Sequence, residues 1–565
     1  MIQKVSFLAG RTIVDIVKDL LARFERLNEI GKALSSEQNI SILLEKILSA
    51  AKSITRADGG TLYSMAEDRA SLLFSIVTND SLNIVMGGTS GKVIDFLPLP
   101  LATRQGLPNN SMVAAYSAIH KTTVNIADAY DAEGFDFSGT RLYDLSNAYR
   151  STSFLTVPMK NYEGDVIGVL QLINAIDPAS GQVIPFSPAD QSLAESLASQ
   201  GAVALCNCAL RLQQEALFES FIGMINMAID QKSPHTGGHC ERVPELTMLL
   251  ADAVNDAREG PLAGFTLSDK DRYELKIAGL LHDCGKVTTP VHIVDKGSKL
   301  QTIFDRIGLL DTRFEVLKRD AEIAMLKGQI GLRARADGAA EALLEQGAAV
   351  FKATLDAERA FLREANIGCE RMGATAQQRV RQIGERHQWV GPAGHAENFL
   401  SDDEIENLTV NAGTLTPAER AIINNHIVVT ISMLESLPWP KDLKNVPEYA
   451  GGHHERMDGK GYPRGLTGDQ MSVQARIMGI ADIFEALTAK DRPYKSGKTL
   501  TESLHILGKL SLNGHIDPDL FDIFIRSKVY LEYGRRFLDA VQMDDVDESK
   551  IPGYRPAAAQ LALLV

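Results

Sequence analysis

The sequence predicts a multidomain protein. Its first domain is α+β, one central antiparallel sheet with flanking helices, and a separate, histidine-rich part follows. Three observations carry this reading. The chain has 565 residues, more than a single hydrophobic core accommodates. Its N-terminal third alternates helical periodicity with two pairs of strand-like runs. And of 12 histidines only His120 precedes residue 235, so imidazole chemistry belongs to the C-terminal part.

The elements follow in order. Ile13, Val17, Leu20, Phe24, Leu27 and Leu34 recur at helical spacing, which predicts an amphipathic helix over 10–34, either packed on its own domain or forming a dimerising seam. A second helical pattern starts at Ile40 and runs to the turn Ala57-Asp58-Gly59-Gly60. Strand-like runs follow at 60–65, 72–77, 153–160 and 165–174, the last two flanking a hairpin turn at Asn161-Tyr162-Glu163-Gly164. Residues 79–150, polar and Gly-rich, read as loops and short helices. Residues 190–231 carry Leu193, Leu197, Leu205, Leu212, Leu217 and Ile225 with no proline, a long helix that serves as mechanical coupler or spacer.

The order of these elements, with Thr156-Val157-Pro158-Met159, Gly164 and Ile167-Gly168-Val169-Leu170-Gln171-Leu172-Ile173-Asn174, resembles a GAF domain over residues 25–210. GAF domains bind cyclic nucleotides, tetrapyrroles or other small ligands, or none. Nucleotide-binding members carry an Asn-Lys…Phe…Asp-Glu signature. This chain has Asn174, Phe186 and Asp190, with Ala175 and Gln191 at the other two positions. The resemblance implies a small-molecule sensor or a structural, dimerising module.

Composition narrows the function classes. Hydrophobic residues make up 45% and charged residues 23%, a globular balance. A net charge of −14 argues against a protein that coats a nucleic acid polymer, which needs a basic surface. It leaves room for a small anionic substrate held by local cations. Cys206, Cys208, Cys240, Cys284 and Cys369 are few and irregularly spaced, so no disulfide framework is expected. The opening residues lack a signal-peptide pattern, and no uncharged run reaches the roughly 18–20 residues that span a bilayer. The expectation is a soluble, cytoplasmic protein with no membrane span.

The chemistry concentrates after residue 231. His235 and His239 stand four apart; on the first turn of a helix both would face one ion, although capping or surface histidines share that spacing. His282-Asp283 follows the apolar run Ile277–Leu281 and sets imidazole nitrogen beside carboxylate oxygen, a donor mix suited to Fe, Mn, Zn or Ni. Later come His426, the pair His453-His454, and Asp482 within the apolar run Ile477, Ile480, Ile483, Phe484, Leu487. A carboxylate in such a run is costly unless paired or metal-bound. Each piece alone has a structural reading, a turn or a cap; together they point to a metal centre.

The segments HDCGK at 282–286 and HHERMDGKGYP at 453–463 are similar to the paired motifs of the HD-GYP family, a branch of the HD phosphohydrolases. HCERV at 239–243, the isolated His426 and ADIFEALTAKDRPYK at 481–495 match in the same order. The resemblance implies an all-α helical bundle that hydrolyses cyclic di-GMP to linear pGpG or GMP with two or three divalent metal ions, Fe or Mn foremost. Carried over position by position, His235, His239, His282, Asp283, His426, His453, His454 and Asp482 are the metal ligands. Asp283 bridges the ions and is catalytic with Lys286. Lys286, Tyr462, Arg492 and Lys495 contact substrate. Cys284, at the variable position of HDxGK, is a small core residue. The alternative implied is a metal- and nucleotide-binding module with little turnover, acting through diguanylate-cyclase-type partners.

Family members join the segment after HDxGK to the isolated His by a short link. This chain interposes residues 301–413, with helical periodicity at 313–326 and 349–365, an inserted helical hairpin turning between Gly328 and Gly347 with a solvated charged face. His387 and His395 within it are expected on the surface. The expected organisation is a helix over 1–24, the GAF domain at 25–210, a linker helix at 211–230, the HD-GYP domain at 231–550 and a tail at 551–565, in a homodimer.

Overall fold

Strand Ala57–Met65 and strand Val166–Ile176 form the centre of the N-terminal sheet. The computed structural model describes residues 2–232 (side chains from 18 onward), 238–333, 338–369, 371–490 and 497–556. The chain divides into two compact units, Met1–Phe218 and Glu219–Val565.

In the first unit every strand pair is antiparallel. The sheet order is Ile84–Gly87, Ser71–Asn79, Ala57–Met65, Val166–Ile176, Phe154–Lys160, Val124–Ile126. Side chains alternate between its faces, as strand geometry demands: Leu62 and Leu170 enter one core with helix Ile40–Thr55, while their neighbours Tyr63 and Val169 enter another. Asn39 caps helix Ile40–Thr55 by accepting from the amides of Ser41 and Ile42. The expected hairpin turn is present, with Asn161 Oδ1 accepting from the Glu163 and Asp165 amides and Gly164 at φ +79°. Within the stretch read as loops, short strands lie at Ile84–Gly87, Leu99–Pro100 and Val124–Ile126; runs of two to four residues are too short for a periodic signal.

The three residues shared with the nucleotide-binding signature are committed to the fold. Asn174, at φ +58°, accepts from the Thr152 and Ser153 amides and donates to Tyr149 Oη and the Arg150 carbonyl. Phe186 is buried in the core. Asp190 accepts from Ser187 at the start of helix Pro188–Lys232 and pairs with Arg23. No helix among the described residues is long and apolar enough to cross a membrane.

Among the described residues the regular elements of the second unit are helices, apart from the small hairpin Gln388–Val390 with Ala396–Asn398. The insertion contains the expected arms, Ile307–Arg333 and Gly338–Asn366, laced by Arg363–Asp311, Arg359–Glu315 and Lys352–Glu322 pairs at 2.7–2.9 Å. It holds more than a hairpin. Helices Ala374–Arg386 and Asp402–Leu408 follow, and Phe314, Leu362, Val380 and Phe399 close a core of its own. That core corrects the expectation for His387, which is buried with Nε2 2.6 Å from Glu358 Oε2; His395 is exposed. The insertion is pinned at its root. The fully buried Lys299 donates to the Leu408 and Val410 carbonyls, and Lys296 Nζ donates to Asn407 and to both oxygens of Glu419.

Candidate metal centre and active site

Three helix C-termini in the second unit end in or beside a histidine. His282 caps helix Asp269–Leu281, His426 follows helix Pro417–Asn424, and His453 follows helix Val446–Gly451. The last turn of a helix leaves carbonyls without donors. Each of these rings supplies one, Nδ1–H donating to the carbonyl three residues earlier: His282 to Gly279 at 2.7 Å, His426 to Ile423 at 2.6 Å, His453 to Ala450 at 2.6 Å. That bond fixes the tautomer and leaves each Nε2 lone pair pointing inward. His239 is oriented differently, its Nδ1 donating to Glu485 Oε2 at 2.5 Å.

The inward atoms converge on Asp283. His239 Nε2 lies 3.1 Å and His282 Nε2 3.3 Å from Asp283 Oδ2, while His426 Nε2 lies 3.2 Å from Asp283 Oδ1. His239 Nε2 is 3.3 Å from His282 Nε2 and 3.4 Å from Asp482 Oδ1; His454 Nε2 is 3.2 Å from His426 Nε2. Two trios result, His239-His282-Asp283 and His426-His453-His454, each with ligand atoms within 4.8 Å of one another. The two oxygens of one carboxylate face one trio each.

These residues fit divalent cations. Nitrogen and oxygen atoms converging at 3.1–3.4 Å from one another match the edges of a coordination shell whose bonds are about 2.1 Å long. Asp283 Oδ1 and His453 Nε2 are buried without any hydrogen-bond partner, an arrangement that costs free energy unless an ion satisfies it. Burial and the neighbouring rings hold His453 well below the usual imidazole range, and burial takes His454 down to about 4, so both rings are neutral donors. Burial also opposes ionisation of Asp283, but Lys286 and the surrounding imidazoles outweigh it and keep the carboxylate charged. For His239 burial is outweighed by Glu485 and Asp283, which raise it to about 9; a cation would displace that proton. The nitrogen-oxygen donor set suits Fe, Mn or Zn rather than Ca or Mg.

The loops around the ligands have steric reasons for their glycines. A Cβ on Gly285 would lie 2.0 Å from the His426 carbonyl oxygen, and the Gly285 amide donates to Thr430 Oγ1. Only glycine lets the 282–286 segment press against helix His426–Glu435. A Cβ on Gly461 would likewise lie 2.5 Å from Glu455 Cα. Tyr462 is carried over His454, the rings stacked with centroids 4.8 Å apart. Lys286 Nζ is ion-paired with Asp283 Oδ2. Cys284 is buried, its thiol pushed up to about 11 by that burial, in keeping with a core residue.

The structure therefore brings together His239, His282, Asp283, His426, His453, His454, Asp482, Lys286 and Tyr462. His235, Arg492 and Lys495 lie outside the described residues. Sequence reasoning missed three supporting residues. Glu485 holds His239 and also accepts from Arg242 at 2.7 Å; Glu455 accepts from the Arg464 and Leu466 amides and fixes the glycine loop. The signal was spacing: Glu485 is one helical turn after Asp482, and Arg242 one turn after His239.

Family models match the chain in three places: a GAF domain over residues 39–205 and an HD domain over 236–327 and again over 374–520. The chain carries a GAF domain followed by an HD domain. Among relatives, the 3'3'-cGAMP-specific phosphodiesterase 1 of Vibrio cholerae is 45% identical over 82 residues, 14% of this chain and 19% of that protein. The probable cyclic di-GMP phosphodiesterase of the same organism is 34% identical over 140 residues, 24% and 31% of the two chains. The cyclic di-GMP phosphodiesterase of Pseudomonas aeruginosa is 43% identical over 75 residues, 13% and 17%. The chain thus spans less than a third of the length of these relatives. Among solved structures it is similar to the GAF domain of an Acinetobacter phosphoenolpyruvate-protein phosphotransferase, with 18% identity and a TM-score of 0.25, covering 34% of this chain and 95% of that one.

Proposed function

We propose that the HD domain is a metal-dependent phosphodiesterase that hydrolyses cyclic di-GMP to pGpG, GMP or both, under the control of the GAF domain. The observation that carries this reading is the position of Asp283 between two histidine groups, a carboxylate set to join two ions. His239, His282, Asp283 and Asp482 would hold one ion and His426, His453 and His454, with the other oxygen of Asp283, the second. His235 would add a ligand for a third. Fe or Mn is the expected metal. Bound there, the ions would supply positive charge to the phosphoryl oxygens and lower the pKa of the attacking water.

The rest falls to the chain itself. The carbonyls of Gly279, Ile423 and Ala450 hold the imidazole protons on Nδ1, so the lone pairs stay directed at the centre through turnover. Lys286, anchored on Asp283, places a fixed ammonium beside the reacting phosphate, where it offsets developing negative charge and can hand a proton to the departing ribose oxygen. Tyr462, stacked on His454, forms an apolar wall against which a guanine can lie. Arg492 and Lys495 are proposed phosphate contacts.

The relatives named for 3'3'-cGAMP support a second substrate of the same chemistry. Anaerobically purified protein should be given both cyclic dinucleotides, with products resolved by chromatography. Turnover of cyclic di-GMP at least tenfold faster than 3'3'-cGAMP is expected; the reverse ratio assigns the cGAMP reading. Binding of either without turnover would overturn the enzymatic proposal in favour of a metal- and nucleotide-binding module.

A further inference from the structure

Glu274 sits in helix Asp269–Leu281, takes no part in the proposed chemistry, and is only 3% exposed. A buried carboxylate is costly unless its oxygens are met. Both are met by one residue of another segment. Oε1 accepts from the Asn445 amide at 2.6 Å and Oε2 from Asn445 Nδ2 at 3.1 Å. Asn445 is the residue at which helix Val446–Gly451 starts, and negative charge at a helix start is favourable.

The spacing along the two segments is the same. His282 lies eight residues after Glu274, and His453 lies eight residues after Asn445. The rings of His282 and His453 meet edge to face, their centroids 5.0 Å apart. The segments therefore run side by side in one direction, joined at one end by Glu274 and Asn445 and at the other by the two rings. Those rings belong to different metal groups, His282 to the trio with His239 and Asp283, His453 to the trio with His426 and His454. The rings share no hydrogen bond. Each Nδ1 is spent on a carbonyl of its own helix, and His453 Nε2 has no partner. A ring contact tolerates sliding, whereas two hydrogen bonds to one residue are directional and fix the register. Lys270 and Asp442 also pair near the Glu274 end at 2.6 Å, but both are exposed, and such pairs hold position weakly.

We propose that Glu274 is a positioning residue of the active site. Bonded to Asn445, it sets the register of the segments that lead to His282 and His453, and with it the separation of the two metal groups. The inference rests on the two-metal reading above. The full chain carrying Glu274→Gln tests it, because that change keeps the size but turns one acceptor into a donor facing Asn445 Nδ2. Adding Asn445→Asp lets donor and acceptor exchange places, which restores both bonds. Manganese(II) content and affinity are measured anaerobically by chelator competition, beside turnover of cyclic di-GMP. In Glu274→Gln the weaker ion should bind about tenfold less tightly. Its kcat should fall about 10- to 100-fold with KM nearly unchanged, while circular dichroism shows the helices intact. The double variant should recover both. Wild-type affinity and kcat in Glu274→Gln would overturn the proposal. So would losses that the double variant leaves in place, the mark of general destabilisation. A wild-type chain that holds a single ion would overturn the two-metal reading, and this inference with it.

Discussion

Glu485 Oε2 lies 2.5 Å from His239 Nδ1, and the other oxygen of the same carboxylate accepts from Arg242 at 2.7 Å. Glu485 is 1% exposed and does not face the other inward atoms itself. It fixes the tautomer and angle of a ring that does, the carboxylate–histidine arrangement by which proteins strengthen a ligand.

Glu485→Gln keeps the size of the side chain and removes its charge. Metal affinity, measured by chelator competition, should fall about 10- to 100-fold while the fold survives. An unchanged affinity would mean that His239 needs no such support.

Gly285→Ala forces a methyl group against the His426 carbonyl, 2.0 Å away by ideal geometry. The carbonyl is backbone and the position of a Cβ is set by the backbone, so neither rotates aside. The expected cost is about 3 kcal/mol, measured by denaturant unfolding, with loss of metal content because the helix that begins at His426 must shift.

Lys296 is the buried partner of Glu419. Burial would raise the Glu419 carboxyl, but the Lys296 ammonium and the Thr416 amide outweigh it and hold the group below the usual carboxylate range. Its folded pKa is therefore depressed. The stability it contributes is present above the unfolded pKa and is lost as pH falls through the folded one. Lys296→Met should cost about 3 kcal/mol at neutral pH, and the gap between variant and wild type in urea unfolding should narrow as the pH is lowered below about 4.

Much of this architecture was legible in the sequence, and the reasons differ by region. The central strands were readable because apolar runs bounded by turn residues report a buried sheet. The convergence of the candidate ligands was readable because His-Asp, His-His and an Asp within an apolar helix have few structural explanations when they occur together. What stayed hidden depends on contacts between distant segments. His387 reads as a surface residue until Glu358 and the surrounding phenylalanines are folded over it. Glu485 and Glu455 look like ordinary helix and loop glutamates until the ring or the amides they hold come into place. The three carbonyls that orient His282, His426 and His453 belong to the backbone and leave no trace in residue identity.

The central claim is that Asp283 joins two metal sites. Counting metal per chain by mass spectrometry, with cyclic di-GMP turnover on the same anaerobic samples, tests it most directly when wild type is set against Asp283→Ala and His282→Ala. The account predicts at least two ions per wild-type chain, with metal and turnover both lost in the variants. Unchanged stoichiometry in Asp283→Ala would contradict it.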